Sequence, residues 1–124
     1  MPFKVTVTEK ETGIFVLSPA GAIDADTYKM LEKETDRILA MVPQVMIFDM
    51  EKVTYISSMG VGVILEVKRK LAASKGTAIM VNLQPQVKKV FDIINALHGE
   101  KVFSSIKEMD DYLASIQRKN MGQR

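Results

Sequence analysis

The sequence contains no cysteine and no tryptophan, and it has a single histidine, His98. Without cysteine, disulfides, thiolate metal ligands and a cysteine nucleophile are excluded. No run of about 18 apolar residues occurs, which is the length that a helix needs to span a membrane. The N-terminal residues MPFKVTVTEKETG carry charges where a signal peptide has an apolar core. We therefore expect a cytoplasmic protein that does not insert into a membrane.

An excess of charge of one sign is also lacking. The 17 lysine and arginine residues nearly balance the 15 aspartate and glutamate residues, which leaves a formal net charge of +2. A nucleic-acid-binding domain usually has a clustered basic face with stacking aromatic side chains. Here the two signs are mixed along the chain and aromatic residues make up only 6% of it. We expect no direct contact with nucleic acid.

Alternating strands and helices define the expected fold. Phe3, Val5 and Val7 alternate with polar residues and predict a strand, and Ile14 to Ser18 predicts a second strand that pairs with it as a hairpin. The segment Pro19-Ala20-Gly21 is expected to break this pattern. The apolar segments from Val45 to Phe48 and from Thr77 to Leu83 read as buried strands, and Val102 and Phe103 suggest a short last strand.

Helical periodicity separates these strands. The predicted helices have inward faces at Tyr28, Leu31, Thr35, Ile38 and Val42, at Val63, Ile64, Val67 and Leu71, at Val87, Val90, Phe91 and Ile94, and at Ile106, Met109, Leu113 and Ile116. Asp24 is predicted to cap the first helix, and Gly76 to end the second in a left-handed conformation. The order ββαβαβαβα predicts an α/β domain with a mostly parallel sheet over residues 1–117, followed by a polar tail over 118–124.

The segment from Asp49 to Leu65 is the most informative. A strand ends, a loop follows, and Ser57 and Ser58 open a helix whose first turn contains Gly60 and Gly62. Glycine costs a helix up to about 1 kcal/mol, but it leaves a bare backbone that another surface can approach closely. Two interpretations follow. Either the segment is a docking and modification site, or one serine is an N-cap and the glycines pack against a strand.

A family resemblance favours the first interpretation. Tyr55-Ile56-Ser57-Ser58-Met59-Gly60-Val61-Gly62 resembles the signature of the anti-sigma factor antagonists, which are STAS-domain proteins. The signature is an aromatic and an apolar residue followed by Asp-Ser-Ser/Thr-Gly-Leu-Gly. The resemblance extends to Gly21-Ala22-Ile23-Asp24 and to Ile47-Phe48-Asp49-Met50, and it covers nearly the whole chain. The chain is identified as a member of this family, with Ser57 in place of the Asp and Met59 in place of the second Ser/Thr.

The resemblance implies a regulatory switch without a cofactor, a metal or catalysis by the protein itself. The unphosphorylated protein would bind an anti-sigma factor that is also a serine kinase of the histidine-kinase-like ATPase fold, and so free the sigma factor. Phosphorylation at Ser58 would end binding, and a phosphatase would reset the switch. The partner surface implied consists of Asp24, Ser57, Ser58, Met59, Gly60 and Gly62. A phosphate on Ser58 is expected to meet the free amides of Met59, Gly60 and Val61.

An enzyme and a STAS domain with a different task are the two other functions to consider for this sequence. A serine hydrolase needs a base, and His98, beside Gly99, reads as the end of the third helix rather than as a base. No G-x-S-x-G, Walker A or metal-ligand cluster occurs, so we do not expect an enzyme. A STAS domain that serves as a scaffold in a large signalling assembly, or as a soluble accessory of a membrane transporter, is the alternative function.

Overall fold

The structure, a computed structural model, describes residues 2–94, 101–103 and 105–121. The strands are β1 (Lys4–Glu11), β2 (Ile14–Ile23), β3 (Val45–Asp49), β4 (Lys52–Ile56), β5 (Thr77–Val81) and β6 (Lys101–Phe103). The helices are α1 (Tyr28–Leu39), α2 (Ser58–Ala73), α3 (Pro85–Ile93) and α4 (Ile106–Met121). The predicted α/β fold class is confirmed, with one strand more than the predicted order contains.

The strands form one mixed sheet in the order β1-β2-β3-β5-β6, and β4 also pairs with β2. The antiparallel hairpin of β1 and β2 is confirmed. The other strand pairs are parallel, as predicted. Parallel neighbours need a crossover connection, and α1, α2 and α3 supply crossovers between successive parallel strands.

The additional strand, β4, lies in a segment that the sequence predicts as a loop. β3 pairs with the first half of β2, and β4 pairs with the second half, from Ala20 opposite Lys52 to Ile23 opposite Ile56. A register shift between Gly21 and Ala22 interrupts the pairing. Because a bulge breaks the two-residue alternation, the buried side chains of β4 are Val53 and Ile56, three positions apart. The sequence therefore shows no strand periodicity there.

β2 itself continues through Pro19 and Gly21, where a break is predicted. Leu17 is the last residue of β2 that pairs with β3, and Ala20 is the first that pairs with β4. Pro19 lies in the gap between these two parallel pairings. A missing N–H is tolerated at such a gap. Gly21 has a φ of +109°, a conformation that suits glycine at a bulge. The prediction of a break at these residues is wrong.

The core lies on both faces of the sheet. Phe15 and Leu17 of β2 belong to the larger cluster, which α1 and α2 cover with side chains such as Leu31, Ile64 and Leu71. Ile14, which points to the opposite face because side chains alternate along a strand, joins the smaller cluster around Met109 of α4. The sheet is therefore packed by helices on its two sides.

The inward faces of α1 and α3 are partly as predicted. In α1, Leu31, Thr35 and Ile38 are buried, but Val42 is 68% exposed. The helix ends at Leu39, and the chain at Val42 takes a positive φ of 50° before Pro43, so the prediction for Val42 is wrong.

In α3, Val87 and Phe91 are buried, whereas Ile94 is the C-cap and is 40% exposed. The inward position predicted for Ile94 is therefore wrong. The predicted continuation of the helix to Leu97, and its end at His98 and Gly99, lie outside the described residues.

The end of α2 corrects the role predicted for Gly76. The left-handed residue there is Lys75, with a φ of 64°. Gly76 follows it, donates its N–H to the carbonyl of Leu71 at 2.7 Å, and packs closely. A Cβ on Gly76 would lie 3.1 Å from the carbonyl oxygen of Pro43. The glycine is needed for this close approach and not for a left-handed φ.

The last helix, α4, confirms the buried position of Met109, while the side chains of Leu113 and Ile116 lie outside the described part of the chain. The helix continues to Met121, past residue 117, where the sequence predicts the domain to end. The boundary of the domain at that residue stays a prediction.

Candidate functional site

The candidate site is formed where two parallel strands end side by side. Ile23, the last residue of β2, pairs with Ile56, the last residue of β4. The backbone N–H of Ser57 donates to the carbonyl of Ile23 at 2.8 Å. The carboxyl ends of the two strands thus bring Asp24 and the start of α2 to the same edge of the sheet, in the proximity that the family resemblance implies.

Ser57 is the N-cap of α2. Its backbone is extended, with φ −88° and ψ 170°, and its Oγ accepts the N–H of Gly60 at 3.3 Å. Its carbonyl accepts the N–H of Val61 at 3.0 Å. A cap of this kind satisfies amide hydrogens that have no partner inside the helix. Ser57, which is half-buried, therefore has a structural task.

Ser58 is the first residue of α2 and is exposed. The prediction that a phosphate here meets the free amides of Met59, Gly60 and Val61 needs correction, because Ser57 already holds the last two. Within the described residues, the N–H groups that lack a hydrogen-bond partner at this helix start are those of Ser58 and Met59. The first turn contains no acidic residue, so no carboxylate of that turn opposes an anion.

The two glycines of α2 have different surroundings. Gly62 is exposed, and a Cβ built on it would have nothing within 4 Å. Gly60 is buried, and its Cβ would lie 2.6 Å from Cγ2 of Ile23 and 2.7 Å from Cγ1 of Ile56. Gly60 thus lets the helix approach the strand ends closely and offers no exposed backbone, and its part in a partner surface stays a prediction.

Two exposed apolar side chains lie within three residues of Ser58 along the chain. Met59 is 45% exposed, at the second position of α2. Tyr55, on the strand that leads into Ser57, is 51% exposed. Tyr55 belongs to the motif that resembles the family signature but is not among the predicted site residues. The feature of the sequence that could have identified Tyr55 is an aromatic residue in a segment predicted as a loop.

Asp24 organises the turn that precedes α1. Its Oδ1 accepts the N–H of Asp26 at 2.9 Å and that of Thr27 at 3.0 Å. Thr27 in turn accepts the N–H of Asp24 and donates its hydroxyl to the carbonyl of Ala22. The helix begins only at Tyr28, with Thr27 at the N-cap position. The carboxylate thus accepts amide hydrogens as predicted, but it caps the preceding turn and not the helix itself.

These hydrogen bonds stabilise the ionised form of the Asp24 carboxyl group. The N–H of Asp26 stabilises the carboxylate most, and the backbone and hydroxyl of Thr27 add to it, so the pKa of Asp24 is lowered. Hydrogen bonds to the ionised form of a carboxyl have this effect. Asp24 is therefore a fixed negative charge beside the start of α2 at neutral pH.

Within the described ranges, no group of three or more His, Cys, Asp or Glu side chains could hold a metal ion. His98 lies outside those ranges. In the same part of the chain, no helix is long and apolar enough to cross a membrane.

Comparisons with known proteins agree with this architecture. The sequence model of the STAS domain family matches residues 6–109. BtrV of Bordetella bronchiseptica, a candidate anti-sigma factor antagonist, is 27% identical over 85 residues, which are 68% of this chain and 73% of BtrV. The chain belongs to the STAS domain family, and this confirms the resemblance found in the motifs.

Solved structures show the same fold. An anti-sigma factor antagonist from Mycobacterium paratuberculosis matches 94% of this chain and 95% of its own length, with a TM-score of 0.79 and 22% identity. The antagonist SpoIIAA in its unphosphorylated form matches 90% of this chain and 97% of its own length, with a TM-score of 0.78 and 21% identity. At these identities the likeness establishes a common fold.

Proposed function

We propose that this protein is an anti-sigma factor antagonist that works by partner switching. The unphosphorylated form binds an anti-sigma factor serine kinase of the histidine-kinase-like ATPase fold and so releases the sigma factor. Phosphorylation at Ser58 ends that binding, and a phosphatase restores it. The protein itself carries out no catalysis. The observation that supports the proposal is that the two adjacent serines differ in their surroundings. Ser57 caps α2, whereas Ser58 beside it is exposed.

The proposed docking surface consists of Asp24, Ser57, Ser58, Met59 and Gly62. Met59 offers exposed apolar area, and the bare backbone at Gly62 lets a partner approach α2 closely. Asp24 adds a carboxylate that its own turn holds in place. An apolar contact flanked by an ordered charge is a common composition for a protein interface.

A phosphate on Ser58 has opposite effects on the fold and on the complex. It adds about −1.5 to −2 charges at pH 7. The start of a helix favours an anion through its dipole and its free amides, so we expect the fold to be kept. The partner would have to desolvate or repel the dianion. A penalty of about 3 kcal/mol weakens binding more than a hundredfold.

A substitution at Gly62 tests the docking surface. The experiment measures binding to a kinase encoded beside this protein, with circular dichroism as the check on folding. Gly62→Arg is expected to weaken binding more than a hundredfold while the spectrum stays native, because the side chain projects into open space. Gly62→Ala is the matched control and should bind within a few-fold of the unmodified protein. Normal binding by Gly62→Arg would place the interface elsewhere.

The scaffold and transporter alternatives are outcomes of a second measurement. Size-exclusion chromatography of the native protein should show a small species that shifts only when the kinase is bound. Elution with an assembly in the megadalton range would favour the scaffold. Co-purification with a membrane transporter would favour the accessory function.

A further inference from the structure

The face of the sheet that α4 covers is only partly covered. Met109 packs on Ile14, Ile47 and Ile79, which lie in the first half of β2, in β3 and in β5. Ser18 and Ala20 continue the same face of β2 because side chains alternate along a strand. Among the described residues, the smaller core cluster around Met109 includes no residue of this second half. A cleft of about 480 Å³ lies there instead, with Ala20, Ala22 and Thr54 among its lining residues.

Two lysines stand on either side of this cleft in one cross-strand row. Lys4 of β1 pairs with Ala20 of β2, and Ala20 pairs in turn with Lys52 of β4. Neighbouring strands are about 4.8 Å apart, so the two lysine Cα atoms are roughly 10 Å apart. Both lysines line the cleft and both are exposed. Only the methyl group of Ala20 lies between them in the row.

The ammonium groups of both lysines lack a partner in the part of the chain that the structure describes. Among the described residues, Lys4 and Lys52 form no ion pair or hydrogen bond, whereas Lys10 pairs with Asp110 and Lys70 with Asp36. The side chain of a lysine is long enough for both ammonium groups to turn toward one point above Ala20. Two like charges that converge repel each other, and an anion between them is favoured.

The acidic residues nearest to the cleft lie to one side of it. Asp49 and Glu51 line an adjoining cavity of about 170 Å³, which shares Lys4 and Lys52 with the cleft. Asp49 Oδ1 is occupied by the side-chain amide of Asn82 at 3.1 Å and by the N–H of Glu51 at 3.2 Å. The lining residues of the cleft over Ala20 and Ala22 include no carboxylate, so an anionic group is repelled less there than in the adjoining cavity.

We propose that this cleft binds a small phosphate monoester. Its phosphate lies between the ammonium groups of Lys4 and Lys52, and its apolar part lies over Ala20 and Ala22. A monoester phosphate concentrates about −1.5 to −2 charges at one point near pH 7, and lysine binds phosphate as a point charge. A single carboxylate carries only half that charge. The volume of about 480 Å³ lies within the usual range of small-molecule sites.

Isothermal titration calorimetry with phenyl phosphate tests this site, and the result does not depend on the proposed switch. Inorganic phosphate and phenol are the comparison probes, and each should bind at least tenfold more weakly than phenyl phosphate. Lys4→Gln and Lys52→Gln should each weaken the binding of phenyl phosphate about tenfold or more. Ala20→Leu fills the cleft without changing charge and should have a similar effect.

Lys33→Gln is the matched control, because Lys33 is an exposed lysine on α1, which packs on the opposite face of the sheet from the cleft. This variant should bind phenyl phosphate as the unmodified protein does. Circular dichroism confirms that each variant is folded. No binding of phenyl phosphate at millimolar concentration would overturn the proposal. An equal loss in Lys33→Gln, or equal binding of inorganic and phenyl phosphate, would overturn it as well.

Discussion

Ser57 Oγ lies 3.3 Å from the backbone nitrogen of Gly60 and accepts its hydrogen. This bond assigns different tasks to two adjacent hydroxyl groups that the sequence alone does not distinguish. Ser57 stabilises the start of α2, and Ser58 is exposed to solvent one residue later. In our proposal the residue that can be modified is therefore not the residue that holds the helix start.

Ser57→Ala is expected to lower the free energy of unfolding by about 1 kcal/mol, because the N–H of Gly60 loses its acceptor. Ser58→Ala, the matched control, should change it by less than about 0.5 kcal/mol, since an exposed side chain is removed. Urea denaturation of both variants measures the difference. A larger loss in Ser58→Ala than in Ser57→Ala would contradict the capping assignment.

The two glycines of α2 should respond to alanine with opposite signs. Gly60→Ala forces a methyl group against Ile23 and Ile56, and overpacking of this kind costs about 1 to 3 kcal/mol. Gly62→Ala meets open space and should stabilise the helix by about 0.5 to 1 kcal/mol. Thermal unfolding measures both. A Gly60→Ala variant as stable as the unmodified protein would mean that the helix and the strand ends separate easily.

Asp24 should make stability depend on pH in acid. Its pKa in the folded protein is lowered from an ordinary value of 3.8 by the N–H of Asp26 first and then by Thr27. The unfolded chain therefore binds the proton more readily, and the stabilisation is complete above the unfolded pKa and is lost as pH falls through the folded one. Asp24→Asn should show a shallower loss of stability below about pH 4 in urea titrations. An unchanged acid profile would contradict the contribution of Asp24.

The sequence was sufficient for those parts of the fold where periodicity is regular. The hairpin, the parallel strands and the buried stripe of α2 at Val63, Ile64, Val67 and Leu71 are found as predicted. β4 was missed because the bulge opposite Gly21 and Ala22 removes the alternation on which strand prediction depends. Rules that use only the local sequence cannot predict the register in which a segment pairs with a strand distant in the chain.

The site was predictable in its place but not in its details. The family resemblance implied that Asp24 lies near the start of α2, and the pairing of Ile23 with Ile56 explains that placement. Two neighbouring serines are both acceptable N-caps, so only backbone geometry identifies Ser57 as the cap. Likewise, the sequence left open whether the glycines are bare surface or pack against a strand, and only the distances to Ile23 and Ile56 show that Gly60 packs closely while Gly62 does not.

Mass spectrometry after incubation with a co-encoded serine kinase and ATP tests the central claim most directly. We predict one added phosphate, about 80 Da from the group that phosphorylation adds, located on Ser58 by fragmentation. Ser58→Ala should abolish labelling and keep the protein bound to the kinase, while Ser57→Ala should be labelled at a similar rate. Labelling of Ser58→Ala at the rate of the unmodified protein, or a phosphate located on Ser57, would contradict the account.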